Sequence, residues 1–362
     1  MFVFGACLVA ALVWVPLPAR LSEGDSVVVA WRDGTPAHVF LSPDDKWRIR
    51  VETDDVSPAY IDALLAFEDQ RFWSHPGVDL IAIARAFLSN LSAGRTVSGA
   101  STLTMQVVRL LEPRPRTLAS KVIEAFRAVQ LEMHLSKRQI LEEYLRLAPF
   151  GRNVEGVEAA SWAYFRHRAR DLTADEIAVL LAVPQSPTAR FPSANNRARL
   201  RAARDSIARR LLDEGLLPRG TGEGAVGPEA LLDDIVASPV PESLEAFPRE
   251  IPHAAYWLRH RHPSKAFIQT TLDAATQRVV EQQVARRFEE AQRVGVHNVS
   301  VVVVDHATVE ARALVGNFTF DLQPGAQIPG FDVPRSPGSL LKPFVTAAAI
   351  DGRPCAAAVF GA

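Results

Sequence analysis

Two adjacent carboxylates followed by a histidine and a glycine form the first reactive stretch of this chain: Glu68-Asp69-Gln-Arg71-Phe-Trp-Ser-His75-Pro-Gly77-Val-Asp79. Ser57 as N-cap, Pro58 at the first helical position and the apolar stripe Ile61, Leu64, Leu65 and Phe67 predict a helix that ends at Glu68. A carboxylate there faces the negative pole of the helix dipole, with Phe67, Phe72 and Trp73 as apolar neighbours, and both influences favour its protonated form. Such a group is a proton acceptor suited to neutral pH. The plainer use of the same residues is an ion pair of Glu68 or Asp69 with Arg71 at a helix end.

A second constellation runs Ser98-Gly-Ala-Ser101-Thr102-Leu-Thr-Met-Gln106 and leads into a helix bearing Arg109. Small hydroxyl residues beside Gly99 at a helix start either offer N–H and O–H donors to an anion or simply cap the helix. A third, Arg114-Pro-Arg116-Thr-Leu-Ala-Ser120-Lys121-Val-Ile-Glu124, puts Lys121 and Glu124 on one helical face. That is a surface ion pair, or else a cation cluster with one carboxylate of the kind that stabilises a departing diphosphate. Near the C-terminus, Ser339-Leu-Leu-Lys342 supplies a hydroxyl nucleophile with a base at the spacing Ser-x-x-Lys.

The elements that must carry these residues can be read coarsely. The 362 residues are 48% hydrophobic, which allows more than one core, and a formal charge of −1 argues against a nucleic-acid partner. Positive charge is local, in Arg197, Arg199, Arg201, Arg204, Arg209 and Arg210, as a solvated helix face or a surface for anionic lipid. Cys7 and Cys355, at opposite ends of the chain, are not expected to form a structural disulfide. Residues 1–18 are almost wholly apolar and short of the ~20 needed to span a bilayer. They read as a membrane anchor or an uncleaved signal, the weak Pro18-Ala19-Arg20 cleavage site favouring the anchor.

Residues 19–52 contain three β-branched runs separated by Asp-Gly and Ser-Pro-Asp-Asp turns, a small β element. Residues 53–216 are helical in pattern, with capping-box spacing at Ser136–Gln139 and Thr173–Glu176. Residues 217–250, rich in Pro, Gly and acids, read as a linker or flexible insertion. Residues 251–362 begin a second domain with a strand at 267–272, a helix over 274–294, a hairpin across 301–315 and a turn into a helix at Ser336.

Taken together, the first three stretches resemble, in order and spacing, the motifs of the family 51 peptidoglycan glycosyltransferases, the lysozyme-like domain of class A penicillin-binding proteins. Glu68 to Gly77 is similar to Glu-Asp-x-x-Phe-x-x-His-x-Gly, Gly99 to Gln106 to Gly-x-Ser-Thr-Ile-Thr-x-Gln, and Arg116 to Glu124 to an Arg-Lys-x-x-Glu region. Lys137 to Leu145 is similar to the fourth motif, and Phe150-Gly151 with Gly156 to Ala160 continues the match. Asp44 to Ile49, Leu111 to Leu118 and Leu147 to Gly151 look like the 1C type of that family, and Ser336 to Phe344 resembles its transpeptidase Ser-x-x-Lys motif. The implied architecture is a mostly α, lysozyme-like glycosyltransferase domain with a small N-terminal β element and an incomplete C-terminal α/β transpeptidase fragment.

The resemblance implies polymerisation of lipid II into β-1,4-linked glycan by inverting transfer, with undecaprenyl diphosphate as leaving group. Glu68 would be the base and Glu124 would position cations or a divalent ion, magnesium or manganese being the candidates. Asp69, Arg71, His75, Ser101, Thr102, Gln106, Arg109, Arg116 and Lys121 would bind substrate. Ser339 would be the acylated nucleophile and Lys342 its partner, yet no Ser-x-Asn or Lys-Thr-Gly element follows, so transpeptidation is expected to be absent. The implied partners are lipid II, the growing glycan strand and cell-wall synthesis proteins, and the implied place is the inner membrane, single-pass, with the catalytic part on the periplasmic side. Three positions depart from the family: Ser120 stands where an Arg is expected, Arg146 where an Asn is, and Arg166-His167 where Gly-Lys is. Two rivals follow: a muramidase, which would not need the cation cluster, and a catalytically impaired lipid II-binding or scaffold protein.

Overall fold

The computed structural model describes residues 12, 14–93, 101–216, 227–321, 324–334 and 336–351, with side chains omitted over 87–93. Most of the expected anchor, Ser98 to Ala100 of the second motif, both cysteines and the chain after residue 351 lie outside the described residues. Among the described residues no helix is long and apolar enough to cross a membrane.

The chain forms two compact units, one of Met1–Ala30, Gly34–Glu250 and Arg261–Gln269, the other of Trp31–Asp33, Ile251–His260 and Thr270–Ala362. The first unit is mostly helical. Its strands are β1 (Val28–Ala30), β2 (Pro36–Val39), β3 (Trp47–Arg48), β4 (Val154–Glu155) and β5 (Phe267–Gln269), and its helices begin with α1 (Pro58–Glu68), α2 (Leu80–Ala93), α3 (Leu103–Leu111), α4 (Leu118–His134) and α5 (Lys137–Leu147). Then come α6 (Val157–Phe165), α7 (Ala174–Ala182), α8 (Pro187–Arg190), α9 (Arg197–Asp213) and α10 (Pro228–Ala237). One apolar core joins most of them, and Leu103, Val107 and Val108 from α3 are buried in it with Ile140, Leu141 and Leu145 from α5.

Local signals placed several helix starts. Pro58 opens α1, and the Ser57 carbonyl accepts from Tyr60 and Ile61, although the Ser57 hydroxyl makes no capping bond. Ser136 and Gln139 form the reciprocal capping box of α5, and Glu176 reaches back to the Thr173 N–H at 2.8 Å at the start of α7. The β element is less self-contained than its sequence suggests. β1 pairs antiparallel with β2 and parallel with β5, whereas β3 leaves that sheet and pairs parallel with β4.

Residues 217–250 also need correction as a simple linker. Pro228 occupies the first turn of α10, where a missing N–H costs nothing, and α10 then buries Ile235. Further on, the Glu250 N–H donates to the Ala37 carbonyl at 2.9 Å, so the segment returns to β2. The strand expected at 267–272 is β5, which belongs to the first unit through β1.

The second unit holds α11 (Pro252–Arg261), α12 (Ala274–Arg286), α13 (Phe288–Arg293), the antiparallel hairpin of β6 (Val301–Asp305) and β7 (Glu310–Val315), and α14 (Lys342–Ile350). The single helix expected over 274–294 is divided at Arg287.

Candidate active site

The site is built on α3. Asp69, just past the end of α1, is buried, and its carboxylate accepts from the Leu103 N–H at 2.8 Å and from His75 Nε2 at 2.9 Å. One carboxylate thus ties the end of α1 and the histidine turn to the N-terminus of α3, where a negative group is favoured. Thr102 completes the joint: its hydroxyl accepts from the Met105 N–H at 3.2 Å and donates to the Gly77 carbonyl at 2.6 Å. Gly77 has φ +88°, and a Cβ there would stand 2.7 Å from the Ala128 carbonyl oxygen of α4, so this turn can approach α4 only as glycine.

With α3 held in this way, two of its side chains reach the carboxylates. Gln106 Nε2 donates to Glu68 Oε2 at 2.8 Å. One turn further on, Arg109 grips Glu124 of α4 through Nε at 3.0 Å and Nη2 at 2.9 Å. Residues three apart on a helix share a face, so Gln106 and Arg109, about one turn apart, hold Glu68 and Glu124 along one strip of α3. Glu68 is partly exposed, Glu124 buried.

Two buried phenols that sequence reasoning did not single out share the electrostatic surroundings of Glu68. Burial, and then the charge of Glu68, raises both Tyr60 of α1 and Tyr144 of α5 above the ordinary phenol value. Tyr60 lies eight residues before Glu68, two turns back on the same helix face, and Tyr144 lies in the fourth motif. Those spacings are the signal that could have found them.

The other expected ligands divide by burial. Asp69, His75 and Thr102 are buried and bonded inward, so they frame the site; Ser101 and Gln106 are partly exposed. Arg71 is partly exposed and stands 3.5 Å from Asp79, whose carboxyl is lowered from the usual range because the Ala82 N–H and the Arg71 charge outweigh its burial. Arg116 and Lys121 are exposed and make no ion pair among the described residues. Arg109 is raised above its ordinary value mainly by its hydrogen bonds to Glu124, and its charge is already matched.

The departures also resolve into places. Ser120 is buried in the first turn of α4, its hydroxyl 2.9 Å from Thr117 Oγ1, so it faces the helix cap. Arg146 is buried and held by Asp25 at 3.0 Å and Glu143 at 2.6 Å. Arg204, read as part of a basic surface, is buried as well and donates to the carbonyls of Val236 and Ser238. Glu124, the candidate ligand for a divalent ion, gives both oxygens to Arg109, a geometry that suits an ion pair and not an ion site. No group of three or more His, Cys, Asp or Glu residues able to hold a metal occurs among the described residues. In the second unit, Ser339 lies in the 3-10 turn Gly338–Leu341 and Lys342 begins α14, both exposed.

Residues 33–212 match the family model described as Transglycosylase. Among known proteins, the chain is similar to penicillin-binding protein 1C of Escherichia coli K12, 38% identical over 346 residues, covering 93% of this chain and 42% of that protein. It is also similar to penicillin-binding protein 1A of Aquifex aeolicus, 38% identical over 180 residues (49% of this chain, 25% of that protein), and to penicillin-binding protein 1A of E. coli K12, 39% identical over 175 residues (48% and 20%). The chain therefore spans less than half the length of these relatives. A solved structure of penicillin-binding protein 1A from Haemophilus influenzae matches with a TM-score of 0.34 at 14% identity, over 91% of this chain and 53% of that one, too distant to bear on the site. Motifs, site and relatives agree: the chain belongs to the class A penicillin-binding proteins, and residues 33–212 are its transglycosylase domain.

Proposed function

We propose that the chain is a peptidoglycan glycosyltransferase that polymerises lipid II. The observation that carries this reading is the α3 strip: Gln106 holding Glu68, and one turn on Arg109 holding Glu124, with the cations Lys121 and Arg116 exposed on and just before α4. Glu68 takes the proton from the 4-hydroxyl of the acceptor sugar as that oxygen attacks the anomeric carbon of the donor. The bond from that carbon to the diphosphate oxygen breaks on the opposite face, and the configuration inverts. One base is enough, because a diphosphate leaves without a proton donor. Arg116 and Lys121 stabilise the charge that develops on it. The Arg109–Glu124 pair keeps α3 and α4 in register.

A lipid-borne substrate fits the surface beside these cations. Leu118 and Val122 flank Lys121 on α4 and are 83% and 71% exposed. Apolar side chains around a cation suit the boundary between acyl chains and phosphate groups. In this reading the domain works at the outer face of the inner membrane. The test is polymerisation of labelled lipid II by wild type and by Glu68→Gln. The substitution should lower turnover roughly 10²–10⁴-fold, the range of a lost general base; equal polymer from both proteins would remove Glu68 from its role. Lipid II binding by the wild type without polymer would favour the scaffold reading, and cleavage of glycan strands the muramidase.

A further inference from the structure

Away from α3, the first unit contains a cavity of about 360 Å³ between the β element and α6. None of Glu68, Gln106, Arg109 or Glu124 lines it. Its size is that of a small-ligand site. Val28, Ile49 and Val51 give it aliphatic walls, and two aromatic side chains face it: Trp162 of α6 and Phe267 of β5, the latter 51% exposed despite its size. At Gly34, on its edge, an added Cβ would meet nothing within 4 Å.

The polar groups decide what could occupy it. Glu158, on α6, is 5% exposed. It accepts one hydrogen bond on each oxygen, from Trp162 Nε1 at 3.1 Å and from the Ala169 N–H at 2.9 Å. A carboxylate has about four acceptor positions, so each oxygen keeps one for a further donor. Glu52 and Asp55 add two more carboxyls to the lining. Two guanidinium groups also line the cavity, and both are engaged. Arg50 Nε lies 2.7 Å from Asp25, and Arg168 Nη2 lies 3.5 Å from Asp55 with its Nε 4.0 Å from Glu158. Among the lining side chains three carboxyls meet two guanidiniums, and Glu158 keeps acceptor capacity among apolar and aromatic walls.

We propose that this cavity binds an organic ammonium ion carried on an aliphatic body, the ammonium on Glu158 and the body against Trp162 and Phe267. Aromatic faces beside a carboxylate are the setting in which such cations are held, and neither an alcohol nor a carboxylate of the same length would use both features. The site is separate from glycosyl transfer and stands whether or not that reading holds.

The test is calorimetric titration of the whole chain with n-hexylammonium, 1-hexanol and hexanoate. Hexylammonium should bind about tenfold or more tightly than hexanol, a difference of about 1.4 kcal/mol, and hexanoate should not compete. Glu158→Gln should abolish the preference for the cation. Because Glu158 also holds the Ala169 N–H, a second variant at the more exposed Glu52 and Asp55, Glu52→Gln with Asp55→Asn, is measured alongside; it should weaken hexylammonium roughly two- to fivefold, as loss of exposed charge pairing does. Titration with Nα-acetyl-lysine amide and with a hexapeptide containing that lysine distinguishes a free amine from a peptide side chain as the source. Absence of hexylammonium binding, hexanoate binding as tightly as hexylammonium, or an unchanged preference in folded Glu158→Gln would overturn the proposal.

Discussion

Replacing Asp69 by asparagine separates a framing role from a chemical one, because its neighbour Glu68 is bonded so differently. Asp69 is 8% exposed and accepts from the Leu103 N–H at 2.8 Å and from His75 Nε2 at 2.9 and 3.1 Å. Both donors meet Oδ2, the His75 N–H reaching Oδ1 as well, so an amide oxygen in the Oδ2 position keeps both bonds as neutral ones while its NH2 group opposes the His75 N–H. A hydrogen bond to a charged acceptor contributes about 1.5–3 kcal/mol against about 0.5–1.5 kcal/mol for a neutral one. Over two weakened bonds and one opposed N–H, Asp69→Asn should therefore lose roughly 2–4 kcal/mol. At about 2–4 °C per kcal/mol for a unit of this size, that lowers Tm by roughly 5–15 °C. Among the described residues Glu68 accepts from Gln106 alone, it is partly open to solvent, and a glutamine there can still accept that bond. Glu68→Gln should leave Tm within a degree or two while polymerisation of lipid II is lost. Thermal unfolding and the polymerisation assay on both variants make the comparison. A stable Asp69→Asn protein, or a Glu68→Gln protein destabilised to the same extent, would refute the division.

Four further outcomes follow from the geometry. Lys121→Ala removes an exposed cation with no ion pair among the described residues, so Tm should hold while turnover of lipid II falls roughly 10²–10³-fold, the cost of losing one charge-stabilising donor. Gly77→Ala puts a methyl group 2.7 Å from the Ala128 carbonyl at φ +88°, and should cost about 1–3 kcal/mol of stability by denaturant titration. Arg146→Asn, which installs the residue the family pattern expects, should cost about 3–5 kcal/mol by taking the guanidinium from Glu143 and leaving Asp25 with Arg50 alone, and Glu143→Gln added to it should recover part of the loss. Burial raises Glu158 above 4.5, outweighing the Ala169 N–H and Trp162; the folded chain thus holds this proton more tightly than the unfolded chain, and the resulting stability is complete below 4.5 and lost as pH climbs through the raised value. Melting curves taken from about pH 4 to about pH 8 should fall less steeply for Glu158→Gln than for wild type.

What could be read from the sequence is what lies close together along the chain. The helix ending at Glu68, the capping box at Ser136 and Gln139, and the hairpin of β6 and β7 each depend on residues a few positions apart, whose types record the constraint. The linker reading of 217–250 failed for a related reason: Pro228 and its glycine-rich approach read as breakers, while at the first position of α10 the same proline starts a helix. Asp69 was read as a ligand because its partner at Leu103 is a backbone N–H, which leaves no trace in residue type.

Arg146 shows the same limit from the other side. Set against a family pattern it is a departure beside the active site, one that puts turnover in doubt. In the fold its guanidinium is taken up by Asp25, whose other oxygen binds Arg50 at 2.7 Å, and by Glu143. Its neighbour Tyr144 is the residue of α5 that feels the charge of Glu68. One turn of α5 thus serves the site with one residue and anchors the β element with another. A cation at 146 requires carboxylates to meet it, and they come from 143 and from 25, the second more than a hundred residues away. The substitution is therefore intelligible only as half of a pair, and its cost should appear in stability before it appears in the chemistry at Glu68.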